Sequence, residues 1–281
     1  MLFLITCVST FLAGVTDWMT MEYLMQPLLW RRAVLTNWPQ GLIYMVAVLS
    51  ILMTHEMGHF IATLRHRIPA SLPFFIPFPL SPIGTMGAVI GMAGFKADRK
   101  QVFDIGVAGP IAGLVVAIPI LFFGIRALPV PASNHGPYLL DCPMIVRLMF
   151  TIARPEYVGT TKIAIGNVNP LFMAGWVGLL ITGLNMLPVS QLDGGHVIYA
   201  LFLKRGHVIA RGFLMVAIAY VVFARVQIWI VMLILVTLMG TDHPPTRNDN
   251  IPLGPVRTLI AWLSLLIPVL CFPPQGLIVK M

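Results

Sequence analysis

Met53-Thr54-His55-Glu56-Met57-Gly58-His59 stands inside an apolar run, residues 41–64, that is about as long as a bilayer is thick. On a helix, residues four apart share a face, so His55 and His59 can each offer a ring nitrogen to one ion. Glu56 lies about 100° round the axis, beside that ion rather than on it. This is what hydrolysis on zinc requires: two imidazoles hold the metal, and a neighbouring carboxylate takes a proton from the attacking water. With 7 His in 281 residues, the His-Glu-x-x-His pattern is expected roughly 0.002 times by chance. The competing reading, two structural histidines beside a buried Glu, leaves an ionisable group at membrane depth without a function to offset its cost. His55 is about 21 Å from the start of the run and about 14 Å from its end, which puts the metal within the membrane thickness.

The composition fits a solvent that is mostly lipid. Hydrophobic residues make up 58% of the chain and charged ones 10%, far from a soluble domain. The length leaves room for six to seven spans with short connections, hence a single membrane-embedded domain over 1–281 with no soluble appendage. The net charge of +8 is scattered over the loops, so membrane topology explains it and nucleic acid is not a predicted partner. Three cysteines, Cys7, Cys142 and Cys271, indicate neither a disulfide framework nor a thiolate zinc site. The opening Met1-Leu-Phe-Leu-Ile-Thr lacks the basic stretch of a signal peptide and reads as a retained first span over 1–16.

Residues 17–40 carry Trp18, Tyr23, Trp30, Arg31, Arg32 and Trp38, the aromatic and basic signature of a headgroup layer before span two at 41–64. After Arg65-His66-Arg67 come Pro69, Pro73, Pro77, Pro79 and Pro82, which exclude a helix there. An apolar segment without helix must satisfy its backbone against protein, so it is predicted to fold back near the active site. Gly84-Thr85-Met86-Gly87-Ala88-Val89-Ile90-Gly91 reads as a short strand whose free edge could receive an extended peptide; a mere spacer is the alternative. Residues 95–103 form an amphipathic piece, and Asp104 is the expected cap of span three, Ile105–Ile125. Its Gly109-Pro-Ile-Ala-Gly113 is a close-packing motif. Residues 126–163 read as a long loop without nameable chemistry.

Span four, about Val168 to Leu187, leads into the second informative stretch, Asn185-Met-Leu-Pro-Val-Ser-Gln-Leu-Asp-Gly-Gly-His196. Pro188 stops or kinks the helix, Gly194-Gly195 permit a turn, and Asp193 is a lone carboxylate in an apolar setting that calls for a cation. By span parity Asp193 returns to the level of His55 and His59. Two His and one Asp leave a fourth zinc position open, the mark of a catalytic site. Other third ligands fit worse: Arg65 stands where a further His would be needed, and Glu22 and Glu156 belong to loops on the far side. His66, His135, His196, His207 and His243 read as loop or supporting residues, of which only His196 is near the site. A helix continues over 197–205, and apolar runs at 208–224, 226–240 and 256–271 read as scaffold or gate. Lys and Arg are slightly more numerous on the Arg65 side, which makes that side cytoplasmic and suggests the cell inner membrane.

These residues resemble the site-2 proteases, intramembrane zinc metalloproteases. The resemblance rests on His55-Glu56-x-x-His59, on Asn185-x-x-Pro188-x-x-x-Leu192-Asp193-Gly194, and on the Gly84–Gly91 strand between them, and it covers about 41–200. It implies an all-α polytopic fold with a small strand or re-entrant insertion between spans two and three. It implies zinc on His55, His59 and Asp193, Glu56 as general base and proton donor, and water entering from the cytosolic side. Asn185 then donates to the substrate carbonyl or oxyanion, with the substrate a transmembrane protein in the bilayer. Many such proteins carry a PDZ domain, for which 281 residues leave no room. Self-association is left open. The rival readings are a zinc-binding or transport protein, which has no need of Glu56, an inactive homologue that only binds membrane segments, and a membrane zincin with Glu as third ligand.

Overall fold

The computed structural model describes residues 1–24, 26–129, 136–189 and 191–279. The chain is mostly helical, and the His55–His59 stretch lies near the end of its longest helix. α1 (Leu2–Val15) is followed by a single turn, α2 (Thr20–Leu24), and then by α3 (Pro27–Arg65). The hydroxyls of Thr6, Thr10 and Thr16 bond back to carbonyls three and four residues earlier, which satisfies them within an apolar helix. α3 absorbs most of the segment expected to be a headgroup layer. Pro27 provides its first turn, where the missing N–H costs nothing, and the helix passes through Pro39.

β1 (Phe74–Phe78) and β2 (Gly84–Val89) form an antiparallel hairpin that packs on α1. The proline-rich stretch therefore contains a strand, with an irregularity between Phe75 and Pro77. α4 (Arg99–Arg126) begins six residues before the expected start. Asp98 and not Asp104 caps it, because Asp98 and Gln101 form a reciprocal capping box. Asp104 instead receives Arg257 at 2.8 and 2.9 Å and His66 Nε2 at 3.1 Å.

The stretch expected to be a featureless loop holds β3 (Tyr138–Asp141), α5 (Met144–Ala153) and β4 (Lys162–Ala164). With β5 (Leu277–Val279) these strands make a second sheet, ordered β4-β3-β5, so the strand content is not confined to the insertion between spans two and three. α6 (Pro170–Asn185), capped by Asn169, and α7 (Asp193–Phe202) lie one after the other along α4, running antiparallel to it. Asn169 donates to Gly124 O at one end of α4, and Arg99 donates to Ala200 O at the other. α8 (Arg205–Phe223), α9 (Ile230–Met239), α10 (Pro255–Ser264) and α11 (Ile267–Cys271) complete the chain.

Among the described residues, three helices are long and apolar enough to cross a membrane, within α3, α4 and α8. The remaining apolar helices are shorter, 10–17 residues. The main core lies between α3, α4 and α6, with Leu52, Leu121, Phe172 and Val177 fully or nearly fully buried.

Candidate metal centre

His55 and His59 occupy successive turns of α3 and face α4, both buried. The room for them comes from missing side chains: a Cβ at Gly113 would sit 3.1 Å from His55 Nδ1, and one at Gly109 would overlap the His59 ring. The small residues read as a packing motif therefore serve a more specific end, letting two imidazoles lie directly on the backbone of α4. His59 Nδ1 lies 2.8 Å from Ile105 O. A carbonyl only accepts, so Nδ1 carries the proton and Nε2 is left as a donor atom for a metal.

Asp193 comes to this point from α7. Behind it, the α6–α7 connector folds so tightly that a Cβ at Gly194 would overlap the Met186 carbonyl, which only glycine permits. Asp193 Oδ2 lies 3.3 Å from His55 Nε2, and Oδ1 lies 3.3 Å from His59 Nε2. The two Nε2 atoms are themselves 3.3 Å apart. A tetrahedral zinc with bonds of about 2.0–2.1 Å has edges of about 3.3–3.4 Å, so the spacing suits that ion. Oδ2 is also a buried acceptor without a hydrogen-bond partner, a cost that a cation in this position would remove. These three residues are the group among the described residues whose donor atoms converge, within 4.8 Å of one another.

A cavity of about 200 Å³ opens over the cluster. Glu56, which is 5% exposed, lines it together with His59 and Asp193. Asn185, the last residue of α6, also faces it, with Nδ2 3.3 Å from His55 Nε2. On the other side stand Ala88, Val89 and Ile90, from the end of β2 and just beyond it. The strand expected to bind substrate thus divides in two. Gly84 accepts a bond from Ser9 Oγ under α1, and Thr85 is buried with its hydroxyl on Ile76 O, so this end is not at the donor cluster. Met86 is exposed, Gly87 has open space around it, and Ala88 reaches the cavity.

His196, one turn after Asp193, lines the cavity as well, and its Nδ1 lies 2.6 Å from Nε2 of His243, 47 residues further along the chain. His66 and His207 sit elsewhere, on Asp104 and on the His243 carbonyl. His135, and Ser190 of the second motif, lie outside the described residues. Sequence reasoning marked His196 only as a neighbour and passed over its contact with His243, for which no local pattern exists.

Two imidazoles from one helix, a carboxylate from another and an adjacent Glu define a centre of the zinc metalloprotease class. The chain belongs to Peptidase family M50, the site-2 protease family, whose profile matches residues 43–228. It is 36% identical over 163 residues to a rice (Oryza sativa subsp. japonica) protein named probable zinc metalloprotease EGY1, chloroplastic, covering 56% of this chain and 27% of the relative. The Arabidopsis thaliana protein of the same name is 29% identical over 234 residues, 81% of this chain and 42% of the relative. A third relative, probable zinc metalloprotease EGY2, chloroplastic, of A. thaliana, is 27% identical over 236 residues, 79% and 40%. The chain thus spans less than half the length of these curated relatives. No solved structure matches it.

Proposed function

We propose that this chain hydrolyses peptide bonds in or beside membrane-spanning segments of other membrane proteins, in a zinc-dependent reaction. The observation that carries the reading is the 3.3 Å spacing of His55, His59 and Asp193 beneath a cavity that Glu56 and the end of β2 share. Zinc held by these three side chains would supply a Lewis acid that polarises the scissile carbonyl and acidifies water. Glu56 takes the proton from the attacking water and returns it to the leaving amine. Asn185, at the mouth of α6, donates its amide N–H to the oxygen on which negative charge builds. The unpaired edge of Ala88–Ile90 holds the substrate extended.

A membrane helix hides its carbonyls in its own hydrogen bonds, so cleavage needs local unwinding, and substrates carry helix-breaking residues near the cut. Equal cleavage of a regular poly-Leu helix would count against this. With α6–α7 counted as one interrupted crossing, the single domain crosses the bilayer six to seven times. The metal then lies nearer the end of α3 marked by Arg65 and Arg67, the cytoplasmic side of the cell inner membrane.

The test is Glu56→Gln beside wild type, with zinc content and cleavage of a co-expressed membrane segment measured together. The variant keeps its zinc and loses about 10²–10⁴-fold in cleavage rate. Zinc-loaded Glu56→Gln that cleaves at the wild-type rate would overturn the reading, and zinc flux across vesicles unaltered by the substitution would favour transport.

A further inference from the structure

The cavity contains a polar group that the reaction above does not use. His196 lines it with Glu56, His59 and Asn185, yet it lies outside the converging donor group. A chain of hydrogen bonds sets its tautomer. His243 Nδ1 is 2.5 Å from the Pro244 carbonyl, which can only accept, so Nδ1 carries the proton. In the neutral ring Nε2 is then an acceptor, and His196 Nδ1, 2.6 Å away, must donate to it. Burial lowers the His243 pKa, which favours the neutral ring. The ring also stacks on Tyr199 at 4.3 Å, and the Tyr199 hydroxyl is held by Asp249 at 2.8 Å. His196 is left with Nε2 unprotonated and without a hydrogen-bond partner among the described residues.

An extended peptide presents N–H and C=O groups along both of its edges. If one edge pairs with Ala88–Ile90, the other faces α7 and the end of α6, where Asn185 offers donors for a carbonyl. An acceptor for the neighbouring N–H is needed too, and Glu56 is committed to the proton. We infer that His196 Nε2, fixed by His243, accepts a hydrogen bond from a backbone N–H of the substrate and holds the strand from the side opposite β2. This rests on the proteolytic reading above and adds a substrate-binding residue to it.

The experiment uses the full chain, zinc-loaded and solubilised, with Glu56→Gln to prevent turnover. The probe is a fluorescent membrane-spanning peptide with a central Gly-Pro pair, compared with analogues in each of which one backbone amide is replaced by an ester. At one position the ester weakens binding about five- to tenfold. In Glu56→Gln/His196→Ala the same ester has no effect, while zinc content is unchanged. His243→Ala reduces this coupling, and His196→Gln, whose side-chain oxygen can accept, restores part of it. Ester costs that are the same with and without His196 overturn the inference, and so does loss of zinc in His196→Ala, which would make the residue a support of the metal. If the parent peptide neither binds to Glu56→Gln nor is cut by wild type, the proteolytic reading falls and this inference with it. Normal binding and cleavage without coupling remove only the role of His196.

Discussion

The helices that carry the metal donors and the helices that follow them are built in opposite ways. In α3, which carries the two imidazoles, 50% of the most apolar stretch is buried, and in α8 only 22% of it is. α3 and α4 meet at Gly109 and Gly113, where no side chain intervenes and the imidazoles rest on backbone. In α8 the buried residues are Gly206, Ala210 and Val221, and a Cβ at Gly212 would meet nothing within 4 Å. Between α8, α9, α11 and the α6–α7 connector lies an apolar cavity of about 660 Å³. A metal site tolerates displacements of only a few tenths of an ångström, and close-packed backbone is the least compliant support a fold can supply.

The difference is most exposed to test at Gly109. Gly109→Ala forces the His59 ring from its place, and the predicted outcome is a fall of about 100-fold in zinc affinity and cleavage. Zinc titration of the purified variant decides it, and full occupancy at the wild-type affinity would break the contrast. A step smaller is Gly194→Ala, which drives the α6–α7 connector away from the Met186 carbonyl. The variant should lose about 2–3 kcal/mol of stability and weaken zinc binding, because Asp193 is the adjoining residue. Unfolding in mild detergent with and without chelator separates the two losses.

What the sequence made legible followed the strength of local patterns. His55, Glu56 and His59 lie within little more than one helical turn, so their motif is wholly local, and Asp193 was reachable because crossings alternate in direction. Helix limits were less accessible. Asp98 and Asp104 both offer a cap, and only the Gln three residues after Asp98 distinguishes them. Pro27 was hidden because a helix that leaves the apolar layer carries the same Trp and Arg residues as a headgroup loop. The second sheet pairs Tyr138–Leu140 with Leu277–Val279, a contact too distant along the chain and too short in each strand to leave a period-two signal. The bond between His196 and His243 was illegible for the same reason.

A smaller effect is predicted at the boundary between the two regions. Arg257 of α10 makes both of its short bonds to Asp104 of α4, with His66 of the α3 end on the same carboxylate. The guanidinium is partly exposed, so solvent screening limits the pair to about 1 kcal/mol. Arg257→Ala should therefore lower thermal stability slightly, leave zinc content intact and reduce cleavage no more than a few-fold. A loss of zinc would show that α10 constrains the donors and would draw it into the rigid region.

The least effect of all belongs to Gly212. A methyl group there enters open space, and alanine favours the helix over glycine by up to about 1 kcal/mol. Gly212→Ala is predicted to leave zinc affinity and cleavage at wild-type values and to leave stability equal or slightly higher. The value of the measurement lies in its pairing with Gly109→Ala, since the chemical change is identical and only the surroundings differ. If both substitutions damaged zinc binding and cleavage alike, helix propensity or membrane insertion would explain the sensitivity of these glycines, and the close approach of α4 to the imidazoles would lose its special standing. If only Gly109→Ala does so, backbone contact at the metal donors is what the fold cannot give up.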